Sequence, residues 1–158
     1  IKPIAIHHSL ILGLGKPEKW PVKKEELLEV FSSMKMSKSK PDTCVFVHDS
    51  PEEIKRKINK SFCPEKEIFF NPMVDWTEKL IFPIRGKLEI KREKKFGGNK
   101  TYDSIENLKK DYSQGNLHPS DLKNAVADSL TEILAPARKH FSKRGPKKML
   151  QELETLMS

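Results

Sequence analysis

Hydrophobic and polar positions along the chain recur at two periods, and most of the length follows the helical one. From Val22 a short helix is expected, with Leu27, Val30, Phe31 and Met34 on one face. The clearest helix start is at Ser50, where Ser50 caps, Pro51 takes the first helical position and Glu53 completes an S-x-x-E box. Ile54, Ile58 and Phe62 then form an apolar stripe, while Lys55, Arg56, Lys57 and Lys60 crowd the remaining surface. Asn71-Pro72 repeats the capping logic and opens a helix with Met73, Trp76, Leu80 and Ile81, expected to stop before Pro83. Ser104 caps another helix carrying Ile105, Leu108 and Tyr112 as far as Gly115. The longest begins at His118-Pro119-Ser120-Asp121, and Leu122, Val126, Leu130, Ile133, Ala137 and Phe141 give it one buried face. Pro136 lies inside that stretch, removes the bond to Glu132 and predicts a kink. Gly145-Pro146 is expected to break the chain before a last helix with Met149, Leu150, Leu153, Leu156 and Met157.

Strand signals are fewer. Pro3 to Leu12 is nearly all apolar apart from His7, His8 and Ser9, and Gly13-Leu14-Gly15 ends it, which suits a buried parallel strand feeding a loop. His7 and His8 are adjacent and face opposite sides of such a strand, so they do not make a paired metal site. Thr43 to His48 reads as a short strand or extended segment. Leu88 to Arg92 alternates apolar and polar, and Lys94 to Tyr102 reads as a hairpin turn and return. The pattern is therefore mainly α with a short β-hairpin.

Composition narrows the class. The 158 residues are 36% hydrophobic and 33% charged, with a net charge of +8 and a pI near 9.4. A phosphate-rich partner explains the excess of lysine and arginine, and so does general solubility. Apolar runs fall short of the roughly 20 residues of a membrane span. Cys44 and Cys63 form no CxxC pair and sit near no paired histidines, so buried free thiols in a reducing cytosol are expected, with no structural metal. The chain opens on Ile1-Lys2-Pro3-Ile4 without an initiator methionine, as an excised piece of a longer polypeptide would.

The most distinctive stretch has neither period. Met34-Lys35-Met36-Ser37-Lys38-Ser39-Lys40-Pro41-Asp42 alternates lysines with serines. A solvated basic turn is one reading. The other is a loop that folds over a polyphosphate, with compact ammonium groups meeting charge as pyrophosphate leaves. Lys35 to Ser39 spells KMSKS, the second signature of class I aminoacyl-tRNA synthetases.

Two further stretches narrow the resemblance. Phe96-Gly97-Gly98 with Leu117-His118-Pro119-Ser120-Asp121-Leu122-Lys123-Asn124-Ala125-Val126-Ala127, and His48-Asp49-Ser50-Pro51-Glu52-Glu53-Ile54, resemble archaeal-type tyrosyl-tRNA synthetases from about Ile1 to Phe141. That resemblance implies a remnant of a Rossmann-like catalytic domain over 1–48, a strand plus the KMSKS loop, followed by a helical anticodon-binding domain over 49–158. It implies that Lys35 and Lys38 contact the phosphates of ATP, bound with Mg2+, and that Ser37 and Ser39 support loop and phosphate geometry. It places Phe96 and His118 as stacking partners of the first anticodon base, with Asp121 hydrogen-bonding to it. Its partners would be tRNA(Tyr), tyrosine and ATP, in a cytoplasmic enzyme whose family is homodimeric, although this piece by itself is expected as a monomer. The first signature, HIGH, does not occur in these 158 residues, and His7-His8-Ser9-Leu10 does not fit it. The piece alone is therefore expected to be inactive. Asn99 departs from the acidic residue common after Phe-Gly-Gly, and the helix beyond Pro146 lies outside the resemblance. The rival readings are a non-catalytic RNA-binding module, the sister tryptophanyl enzyme and a plain basic helical protein.

Overall fold

Two helices packed through a shared apolar seam organise the molecule: α2 (Pro51–Lys60) and α6 (Pro119–Ile133). The computed structural model describes residue 4, residues 9–37 and residues 39–157. Chain order is α1 (Leu27–Ser33), α2, α3 (Pro72–Trp76), α4 (Phe82–Arg85), β1 (Leu88–Ile90), β2 (Lys100–Tyr102), α5 (Ile105–Gln114), α6, α7 (Ala135–Phe141) and α8 (Arg144–Met157). The fold is mainly helical, and β1 and β2 pair antiparallel with Leu88 opposite Tyr102 and Ile90 opposite Lys100.

The core collects Ile54 and Ile58 from α2, Met73 and Trp76 from α3, Leu108 and Tyr112 from α5, and Leu122, Val126 and Leu130 from α6. Leu88, Ile90 and Tyr102 close it from the hairpin. All of these but Tyr102 are positions that the helical and alternating periods single out, because burial of each face is what makes a marginal helix or hairpin stable.

The serine and asparagine caps form as the sequence suggests, although the Glu53 carboxylate that would complete the Ser50 box is taken by Arg56 instead. Ser50 Oγ accepts from Glu53 N at 3.1 Å, and Asn71 Oδ1 accepts from Met73 N at 3.0 Å. Ser104 Oγ accepts from Asn107 N at 3.4 Å. Removing the Ser50 oxygen leaves an amide of the first turn without its partner. Ser50→Ala should therefore lower stability by about 1 kcal/mol in urea unfolding.

Four expectations need correction. Residues 43–48 form no strand. A 3-10 turn (Pro41–Thr43) leads into a folded loop in which Phe46 N donates to Asp49 Oδ2 at 2.9 Å. The helix after Asn71 does not stop before Pro83. A π-helical turn, Thr77–Ile81, carries it into α4, with Phe82 N donating five residues back to Thr77 O. The wider turn shifts the hydrogen-bond register just where proline lacks a donor, so the chain stays helical to Gly86. Lys57 is not on the surface; its side chain is 3% exposed. Gly145-Pro146 does not precede the last helix but lies inside its first turn. Proline is tolerated there because the first four N–H groups of a helix have no helical acceptor. The buried strand over 3–12 falls largely outside the described residues, as do His7 and His8. Its described part has Ile4 and Leu10 exposed, and Leu12 makes a single antiparallel bridge to Lys35. Pro136 does interrupt the long helix: α6 ends at Ile133, and α7 resumes after Leu134.

Candidate functional site

The lysine loop rests on a small core of its own, Leu12, Val30 and Met34, with Val22 and Phe70 against it. Three backbone ties fix its base. Leu12 bridges Lys35, Gly13 N donates to Met34 O, and Leu14 N donates to Thr43 O at 2.9 Å. Gly13 is required by closeness: a Cβ there would lie 2.8 Å from Met34 O and 3.2 Å from Thr43 O, both backbone atoms. The segment before it docks on α3 and the π turn, where Trp76 Nε1 donates to Leu12 O at 2.6 Å and Asp75 Oδ2 accepts from Leu12 N at 3.0 Å.

Above this base the loop is exposed and tied mainly to itself. Ser37 Oγ and Ser39 Oγ share a 2.9 Å hydrogen bond, and Lys40 N donates to Ser37 O at 3.1 Å. Burial pushes the Cys44 thiol up, and as a protonated donor it reaches Ser37 O at 3.7 Å. Lys35, Ser37 and Lys40 line an open cavity of about 290 Å³ together with Gly13, Gly15 and Lys16. Lys38 lies outside the described residues. Sequence reasoning missed Lys16, although its place directly after Gly-Leu-Gly was a signal.

The second constellation is built from residues 92–121. Between β1 and β2 a 3-10 turn (Lys94–Phe96) is followed by Gly97 and Gly98, both at positive φ, +99° and +69°. That reversal leaves the Phe96 ring 62% exposed, with Lys95 Nζ 4.8 Å from its centroid. His118 caps α6: its Nδ1 accepts from Ser120 N at 3.2 Å, and the ring stays exposed. Asp121 stands in the first turn of α6. Phe96, His118 and Asp121, more than 20 residues apart along the chain at the extremes, line one cavity of about 410 Å³ with Arg92, Asn116 and Ser120.

Arg92 is a second residue that the sequence did not single out. Its side chain is 12% exposed and crosses between the two halves of the cavity. Nε donates to Gly98 O at 2.8 Å, and one terminal nitrogen donates to Asn116 O at 3.1 Å and lies 3.9 Å from Asp121 Oδ2. It thereby holds the turn bearing Phe96 against the start of α6. Asn99 has a structural task in the same turn, its Oδ1 accepting from Arg92 N at 3.0 Å. Nothing in a lysine- and arginine-rich strand end marks Arg92 apart, because its hydrogen-bond partners are main-chain carbonyls, which look alike in sequence.

Among the described residues no group of three or more His, Cys, Asp or Glu is placed to hold a metal ion, and no helix is long and apolar enough to cross a membrane.

The sequence profile of the tRNA synthetases of class I (W and Y) matches residues 14–135, a span that contains the lysine loop and the Phe96–Asp121 cavity. The chain belongs to that family. This synthetase chain is 53% identical to the tyrosine–tRNA ligase of Thermococcus sibiricus over 145 residues, which is 90% of this chain and 39% of the relative. It is 50% identical to that of Thermococcus kodakarensis over 157 residues, 98% of this chain and 42% of the relative. The tyrosyl-tRNA synthetase of Pyrococcus horikoshii, solved with L-tyrosine, superposes with a TM-score of 0.88 at 48% identity, covering 96% of this chain and 42% of that one. The Aeropyrum pernix tyrosyl-tRNA synthetase gives 0.77 at 38% identity. The synthetase chain thus spans about two fifths of the length of the relatives it matches.

Proposed function

We propose that these residues are the C-terminal portion of a tyrosine–tRNA ligase, carrying its ATP-phosphate loop and its anticodon-reading cavity. The observation that carries the reading is the convergence of Phe96, His118 and Asp121 on one cavity, which shares no lining residue with the lysine cavity. Relatives that align over nearly the whole chain are tyrosine ligases, which favours tyrosine over tryptophan. A non-catalytic RNA-binding module would have no use for the lysine loop or for the glycine that seats it.

In this reading residues 1–48 end a Rossmann-like catalytic domain and 49–158 bind the anticodon stem, in a cytoplasmic homodimer. ATP enters with Mg2+ as substrate. The tyrosine carboxylate attacks the α-phosphorus and pyrophosphate departs, so negative charge builds on the leaving oxygens. Lys35 and Lys38 neutralise it, and the Ser37–Ser39 pair keeps the loop in the shape that brings them there. The second step transfers the tyrosyl group to tRNA, whose first anticodon base enters the other cavity. Phe96 and His118 offer it flat faces, with Lys95 supplying positive charge near the phosphates. The Asp121 carboxylate accepts from N1 and N2 of guanine, which adenine and the pyrimidines do not present in that arrangement.

The test separates stacking from reading. Stacking contributes ~1–3 kcal/mol per base, so Phe96→Ala should weaken binding of every tRNA(Tyr) transcript about tenfold or more. Asp121→Ala should chiefly reduce the preference for guanine over other bases at that position. Binding of wild-type and first-base-substituted transcripts to both variants decides it. If Asp121→Ala weakens all transcripts equally, the carboxylate only complements the α6 dipole and the assignment is wrong.

A further inference from the structure

The lysine loop leaves its cavity at Pro41-Asp42, and there a side chain from another element takes hold of it. Among the described residues, the hydrogen bonds of 36–42 stay within residues 37–44, with one exception. Asp42 Oδ1 accepts from a terminal nitrogen of Arg56 at 2.6 Å. Arg56 is on α2 and is itself held by Glu53: Nε donates to Glu53 Oε2 at 2.8 Å, and the same terminal nitrogen donates to Glu53 Oε1 at 2.6 Å. The guanidinium fork is thus fixed edge-on to one carboxylate, which aims its remaining donor at the other. It holds both carboxyls, Asp42 and Glu53, below the usual range, so the arrangement stays ionised through the neutral region.

We propose that Arg56 is a positioning residue for the adenylation step, and that the Asp42–Arg56–Glu53 clasp sets where the exit of the lysine loop stands relative to the helical body. The inference rests on the tyrosine ligase reading above. Helix α2 does not need the clasp to form. It has its Ser50 cap, Ile54 and Ile58 in the core, and the buried Lys57–Asp49 pair at 2.7 Å. The three clasp residues are 36–64% exposed, a range in which ion pairs contribute little to stability. What the clasp restrains is the loop. The entry of the loop is fixed by the backbone bridge at Lys35, and among the described residues its exposed middle is held by the Ser37–Ser39 hydrogen bond and the weak Cys44 thiol contact to Ser37 O. With the exit released, the lysines would sample positions away from the phosphates, and a small misplacement of groups that act on a transition state is costly in rate. Arg56 itself touches neither the lysine cavity nor the anticodon cavity. The basic run on α2, which looks like a plain solvated face, therefore has members with separate tasks: Lys57 inside and Arg56 on the loop.

Tyrosine-dependent ATP–pyrophosphate exchange by the intact enzyme, with urea unfolding and tRNA binding in parallel, tests it. Arg56→Gln should lower kcat for exchange about tenfold, leave KM for tyrosine within twofold, and leave tRNA binding and the unfolding midpoint unchanged. Asp42→Asn should do the same. The double variant should be no slower than either single one, because both remove one interaction. Arg56→Lys, which keeps the charge without the fork, should recover part of the rate. A wild-type rate for Arg56→Gln overturns the inference, as does a fall that tracks unfolding or a double variant slower by the product of the single losses. Should the wild-type enzyme lack tyrosine-dependent exchange, the ligase reading falls first and the clasp inference falls with it. Normal wild-type exchange with an unaffected Arg56→Gln removes only the inference.

Discussion

Replacing Lys35 by alanine in the intact enzyme should slow tyrosyl-adenylate formation about a hundredfold while leaving tyrosine affinity nearly unchanged. Removing one preorganised electrostatic contact to a developing charge costs about 3 kcal/mol, which is about two decades in rate. The fold should survive, because the bridge from Lys35 to Leu12 uses main-chain groups and the side chain is exposed on the cavity wall. Lys38→Ala should act in the same direction. Single-turnover measurement of adenylate formation, with tyrosine binding measured separately, gives the answer. A loss confined to tyrosine binding would show that the lysine does not serve the transition state, and a wild-type rate would remove it from the reaction altogether.

The second large effect concerns stability. Lys57 Nζ lies 2.7 Å from Asp49 Oδ2 and 4.6 Å from the Phe46 ring centroid, with both charged side chains almost completely covered. Removing one member of such a pair leaves an uncompensated buried charge, at a cost of roughly 3–5 kcal/mol. Lys57→Met, which keeps most of the volume, should therefore lower the unfolding free energy by about 3 kcal/mol. Adding Asp49→Asn should restore much of it, since an amide can still accept from Phe46 N without carrying charge. Urea unfolding of the two variants checks both statements. If Lys57→Met alone unfolds like the wild type, water reaches Asp49 and the pair is not closed off.

Much of this molecule was legible before any coordinates. Ser50, Asn71 and Ser104 announce helix starts because a short side-chain oxygen before an apolar-periodic run has one obvious use, and all three make the expected bond. The hairpin was legible for a similar reason: alternation in Leu88 to Ile90 and a Gly-Gly turn are local signals. The misreadings are equally instructive. Pro83 reads as a stop because proline removes a donor, but a π turn one step earlier absorbs the defect, and that choice is made by packing of Trp76, Thr77 and Ile81 into the core. Lys57 reads as a surface lysine because the helical period alone cannot see Asp49 folding back beneath it.

The sequence by itself located most of the helices and their caps, and it supplied the motifs on which the proposed phosphate and base chemistry rests, since those follow from local periodicity, side-chain chemistry and short motifs. Only the tertiary structure decided that Phe96, His118 and Asp121 face one cavity and that Arg92 braces it through two carbonyls from segments before and after α5. It alone seated the lysine loop by Gly13 and tied its exit to Arg56. The physical reason is common to all of these. Each is a contact between groups distant along the chain, made through main-chain atoms or generic charges that look the same in sequence whether or not they meet.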